Sequence, residues 1–200
     1  MVEILILFYS RDGSTARMAQ QVMRGVESVD GCTAKLRAIA PVTTVCTATQ
    51  PSVPPEGAPY VTQEDFQNCD GLALGTPTYF GNMAGAVKHF IDSTSGSWFT
   101  GKMVGKPAGV FTSTASQHGG QEATLLSMMI PLLHHGMVIV GLPYTEPALT
   151  RTQAGGSPYG PTHTAGGGDR PLTNEERTLC QALGARIART ARAFEDGERP

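Results

Sequence analysis

Three short segments carry most of the chemistry-bearing residues of this chain: residues 10–15 (SRDGST), 76–82 (TPTYFGN) and 113–120 (STASQHGG). The first reads as a cradle for a phosphate. It follows an apolar run and precedes a helical pattern, so free N–H groups and the positive end of a helix dipole would face an anion. Ser10, Ser14 and Thr15 add hydroxyl donors, Gly13 permits close backbone approach, and Arg11 and Asp12 complete the loop. Each hydrogen bond to a charged group contributes roughly 1.5–3 kcal/mol, so a handful would hold a terminal phosphate without a lysine. Neither G-x-x-x-x-G-K-[ST] nor G-x-G-x-x-G occurs, which argues against triphosphate hydrolysis and a dinucleotide fingerprint.

The other two segments suit a flat polar ring. Thr76, Pro77 and Thr78 predict an extended turn, and Tyr79 and Phe80 offer aromatic faces. Gly81 and Asn82 can turn backbone amides toward a ligand. Ser113, Thr114, Ala115, Ser116, Gln117, His118 and Gly119 form the third loop, with His118 a possible ring neighbour. Donors aimed at such a ring would stabilise a reduced, anionic form. His134 and His135 are adjacent in a helical stretch, so their side chains diverge by about 100° and cannot share one metal. His135 and His89 read as packed or surface residues, and so does His163, although its loop reads as a lid. Trp98, in GSWFTG, is a poor core residue, so an interface or site role is expected.

These loops need a scaffold that brings them together. Residues 2–9 are a nearly unbroken apolar run, as in a strand covered on both faces. A helix from Ala16 carries Ala19, Val22, Met23 and Val26 at helical spacing. Residues 33–39 alternate and predict an edge strand, followed by a Pro-rich insertion over 41–61 and a short helix near 62–67. Strands are expected at 71–75, 107–113 and 137–141. Helices are expected around Met83, Val87, Phe90 and Ile91, and over 120–135, ended by Gly136 as a left-handed cap. Residues 143–171 read as a long Gly/Pro-rich loop, and Thr173 with Glu176 as a capping box opening a last helix that buries Leu179, Leu183, Ile187 and Phe194. The alternation gives an α/β fold of flavodoxin-like class: one domain, a doubly wound five-stranded parallel sheet in order 2-1-3-4-5, helices on both faces. Its ligand site lies at the carboxyl ends of the strands, where the three loops converge.

Composition narrows the function. Two hundred residues suit a single domain with insertions, and a net charge of -2 without charge runs argues against nucleic acid. The four cysteines form no C-x-x-C pair and no metal-ligand spacing, so reduced thiols are expected. The N-terminal apolar run is too short for a membrane span and lacks a signal-peptide pattern, so a cytoplasmic protein without an integral membrane segment is expected.

The segments TPTYFGNM (76–83), GGQEAT (119–124), HHGMVIVG (134–141) and GGSPYGPTHTAGG (155–167) resemble the WrbA family of flavodoxin-like NAD(P)H:quinone oxidoreductases, and the resemblance runs from Ile4 to the final helix. The last two segments separate this family from plain flavodoxins. The resemblance implies non-covalent FMN, a homotetramer, and hydride transfer from NADH or NADPH through the flavin to a quinone. By position, Ser10 to Thr15 would hold the FMN phosphate. Thr78, Tyr79 and Phe80 would flank the ring, as would Ser113 to His118, and His134 would touch it from its helix end. Trp98 would line the quinone and nicotinamide pocket. Asp12 stands where relatives often have a Tyr that touches the nicotinamide cofactor, and Tyr79 where they often have Arg. Two alternatives remain at this point: a one-electron carrier, or a flavin-containing binding protein without turnover.

Overall fold

The computed structural model describes residues 1–42 and 56–195. Strand β1 (Val2–Phe8) is the sheet's spine, buried along almost its whole length because helices cover both faces. It pairs in parallel with β2 (Cys32–Ala38) on one side and β3 (Gly71–Tyr79) on the other. Next come β5 (Pro107–Thr114) and β6 (Val138–Ile139), giving the path β2-β1-β3-β5-β6. This is the expected order, with β2 at the edge as its alternating pattern requires.

Two strands go beyond the sequence reading. Residues Asn82–Met83 form β4, which turns back antiparallel on β3. Thr162–Thr164 form β7, parallel to the carboxyl half of β5. Thus β6 and β7 share one edge position, and the chain between them is an insertion in a split strand. The expectation that 143–171 is a loop or lid is corrected here. The segment contains α6 (Pro147–Arg151) and β7, and residues 160–165 are buried. The expected insertion at 41–61 lies mostly outside the described residues, at 43–55.

Helices α1 (Ser14–Glu27) and α7 (Asn174–Glu195) cover one face, and α3 (Gly85–Ser93) and α5 (Gln121–His134) the other. Met18, Ala19, Val22 and Val26 face Leu179, Leu183 and Ile187 in a shared apolar layer. The helices approach so closely at Gly25 and Gly184 that a Cβ on either would strike the facing backbone at Gln181 or Val22. Two short helices complete the chain. In α2 (Gln63–Asn68) Thr62 and Asp65 form a capping box, and α4 (Ser95–Phe99) carries Trp98. Helix α5 runs through Pro131 and ends at Gly136, which adopts the expected left-handed φ of 76°.

Candidate functional site

The carboxyl ends of β1, β3 and β5 converge on a cleft of about 230 Å³. Ser10, Arg11, Asp12, Ser14 and Thr15 line it from the first loop, Pro77, Thr78 and Tyr79 from the second, and Ser113, Thr114 and Ala115 from the third. The predicted convergence is therefore observed. At its floor α1 begins after Gly13, whose φ of 82° is open to glycine at little cost. Gly13, at the N-cap, has no side chain to cap this helix, and the first turn holds no acidic residue. The Ser10 hydroxyl accepts only from Ala16 N–H, at 3.3 Å. Free amides, hydroxyls and the dipole together would favour an anion here.

A fourth wall was missed in the sequence. Ala165, Gly166, Gly167 and Gly168 follow β7 and close the cleft. The glycine run was visible, but the pairing of β7 with β5 that brings it here was not. Asp12 packs under this wall: a Cβ on Gly168 would lie 3.1 Å from the Asp12 Cβ.

Threonines fix the cleft from behind. Thr112 donates to the Thr76 carbonyl at 2.8 Å, and the Thr78 hydroxyl lies 3.0 Å from that of Thr112 and 3.1 Å from that of Thr124. Gln121, opening α5, donates to Thr114 (2.9 Å) and Thr164 (3.1 Å) and accepts from Thr162 (2.6 Å). One glutamine thus ties β5, β7 and α5 together. Thr76 itself is fully buried and accepts from Ala84 N–H at 3.0 Å, so it supports the second loop from beneath.

The second loop is a hairpin rather than an extended turn. Phe80 and Gly81 have φ of 51° and 73°, the two positive values of a type I′ turn. A phenylalanine pays for such a φ, and here its ring is wholly exposed, so core packing does not explain it. Tyr79, which lines the mouth beside Arg11, raises the pKa of its guanidinium. Burial, and then Tyr79 beside it, push the Tyr9 hydroxyl above its ordinary range.

A second depression, an apolar groove of about 650 Å³, runs beside the hairpin between α3, α4 and α5. Asn82, Met83, Trp98, Ile130 and His134 line it. Trp98 is half exposed, and it sits on a short helix rather than a loop. His135 is packed, as expected: its Nε2 lies 2.9 Å from the Thr94 hydroxyl and its ring meets Phe66 edge-on. Burial, and then the charge of His134, lower its pKa. Ser116, Gln117 and His118 are exposed and do not line this cleft, and Gly119 only closes the turn onto the Ser116 carbonyl. The structure does not gather these four with the rest.

Comparison with known proteins gives the family and supports the fold. The profile of the family described as NADPH-dependent FMN reductase matches residues 3–145. Among similar proteins, one from Solidesulfovibrio magneticus named NAD(P)H dehydrogenase (quinone) is 44% identical, covering 96% of this chain and 98% of its own. One of the same name from Geobacter sulfurreducens is 44% identical over 87% of this chain and 89% of its own. Among solved structures, a flavodoxin, WrbA-like protein from Agrobacterium tumefaciens has a TM-score of 0.68 at 25% identity, covering 96% of this chain and 99% of that one. A flavodoxin from the domain Archaea shares the fold, with a TM-score of 0.63 at 17% identity, covering 96% of this chain and 99% of that one. This chain belongs to the NADPH-dependent FMN reductase family, and within it to the group whose members carry the name NAD(P)H dehydrogenase (quinone).

Proposed function

We propose that this protein binds FMN non-covalently and reduces quinones by two electrons at the expense of NADH or NADPH. The observation that carries the proposal is the uncapped amino end of α1, at the floor of a four-walled polar cleft, close to an apolar groove that holds the half-exposed Trp98. The cleft fits a terminal phosphate: the Gly13 turn leaves the first amides free, and Ser14 and Thr15 bury their hydroxyls against it. FMN, when bound, supplies a ring that accepts a hydride and passes two electrons on. The chain's own residues bind and orient. Ser10 to Thr15 hold the phosphate, Thr78 and Tyr79 flank the ring from one loop, and Ser113 to Ala115 flank it from another. Phe80, His134 and Trp98 border the space where flat substrates enter.

The nicotinamide cofactor and the quinone use the same face of the flavin in turn. A carrier that docks on redox proteins needs a charged face, and a chain with 16% charged residues and net charge -2 offers little of one. Among the described residues no helix is long and apolar enough to cross a membrane. The exposed Ile130, Leu133, Phe99 and Val104 beside Trp98 suit a homotetramer whose subunits complete one another's grooves. Mass spectrometry of the released cofactor tests the first step: FMN is expected, and FAD or no flavin would overturn it.

A further inference from the structure

Arg17 is oddly placed for a cation. It stands in the first turn of α1, where the helix dipole disfavours positive charge. Among the described residues it makes no ion pair with a carboxylate. One nitrogen, Nη2, donates to the Ser14 hydroxyl at 3.0 Å and to the Gly168 carbonyl at 3.1 Å. The other, Nη1, lies 3.4 Å from where a Cβ on Gly13 would stand. Its Nε is buried without a partner. The guanidinium is thus folded back over the Gly13 turn and bridges the amino end of the helix to the glycine wall.

A partly desolvated cation at the wrong end of a helix costs stability unless something negative answers it. Among the described residues, its hydrogen-bond partners are only a hydroxyl and a carbonyl. An anion at the uncapped end of α1 would meet this charge at short range, and a guanidinium is well suited to phosphate oxygens. We infer that Arg17 is a positioning residue for the phosphate end of the cleft: it clamps the Gly166–168 wall onto α1 and sets a positive charge beside the phosphate. This rests on the FMN reading above. It also makes a distinction that reading does not, because a cradle of amides and hydroxyls alone would hold the phosphate without Arg17.

The test is titration of apo-protein with FMN and with riboflavin, which lacks the phosphate. Wild type is expected to prefer FMN strongly. Arg17→Met is expected to weaken FMN by about tenfold or more, the loss of a charged hydrogen bond, while leaving riboflavin affinity unchanged. Added salt should weaken FMN binding less in the variant than in wild type. Arg17→Lys, which keeps the charge without the fork, should recover part of the FMN affinity. Equal loss for both flavins, or unchanged FMN binding, would overturn the role of Arg17. A wild type that binds riboflavin as tightly as FMN would instead overturn the phosphate cradle itself. Hydrogen exchange in the apo-protein provides a second readout. Faster exchange at residues 166–168 in Arg17→Met is expected, and unchanged exchange would contradict the clamp.

Discussion

Nδ1 of His163 lies 2.9 Å from Oε2 of Glu176, and both side chains are wholly shielded from solvent. The other ring nitrogen, Nε2, lies 3.1 Å from the Arg170 carbonyl. Both partners present oxygen atoms, so the ring is held from both sides. Glu176 also accepts from Thr173 N–H (2.8 Å), Gly155 N–H (3.0 Å) and Thr164 N–H (3.3 Å). The capping carboxylate of α7 is therefore the hub that fastens the inserted segment, and with it the glycine wall of the cleft.

Removing this hub is expected to be severe. Glu176→Ala leaves a buried histidine and several amides without their partner, at a cost of about 3–5 kcal/mol. A fall of roughly 10 °C in Tm is expected for a chain of this size. Acid should act in the same direction. Burial alone would raise the Glu176 carboxyl, but the hydrogen bonds from His163, Thr173 and Gly155 hold it below its ordinary range. Burial likewise opposes ionisation of Asp65, yet Thr62, Arg37 and Lys35 bring it down to about 2. Folded-state values below the unfolded ones give stability that is present above the ordinary carboxylate range and lost as pH falls toward 2. Urea midpoints measured from pH 7 to 3 should hold steady and then drop below about pH 4. A midpoint that rises on acidification would contradict both assignments.

Gly13 tests the cradle. Its φ of 82° is hostile to a β-branched residue, and a side chain there would also press on the Arg17 guanidinium. Gly13→Val is expected to lose most bound flavin while α1 remains folded, read by flavin absorbance per mole of protein and by circular dichroism. Full flavin content in this variant would remove the loop from the site.

Much of this was legible in the sequence, and the misses have physical reasons. The buried run of β1, the stripes of α1 and α7 and the Thr173–Glu176 box are local patterns and formed as read, except that Phe194 near the end of α7 is only half-buried. The β4 hairpin was hidden because its type I′ turn carries Phe80 at a position that favours Asn or Gly. Only the positive φ reveals that Phe80 sits at a turn tip, exposed. The strand β7 and the glycine wall were hidden because THT is too short to signal a strand, and it forms by pairing with distant residues 112–114. His163 looked like a loop residue for the same reason. Arg17 escaped notice because its partner Gly168 is 151 residues away.

A variant at Trp98 would separate substrate binding from cofactor binding under the proposed function. Trp98 lines the apolar groove and not the polar cleft. Stacking on a flat substrate contributes roughly 0.5–1.5 kcal/mol beyond burial. Trp98→Ala is accordingly expected to raise the KM for quinone several-fold with FMN content nearly intact. A variant that keeps its quinone KM but loses FMN would reverse the assignment of the two depressions.

The most direct test of the account is an anaerobic absorbance titration of the purified holo-protein. Addition of NADH or NADPH should bleach the flavin band, and one equivalent of benzoquinone should then restore it fully, with steady-state double-reciprocal plots that run parallel. A flavin that neither reduced nicotinamide bleaches, or one that stays bleached after quinone is added, would contradict the proposed two-electron reduction of quinones.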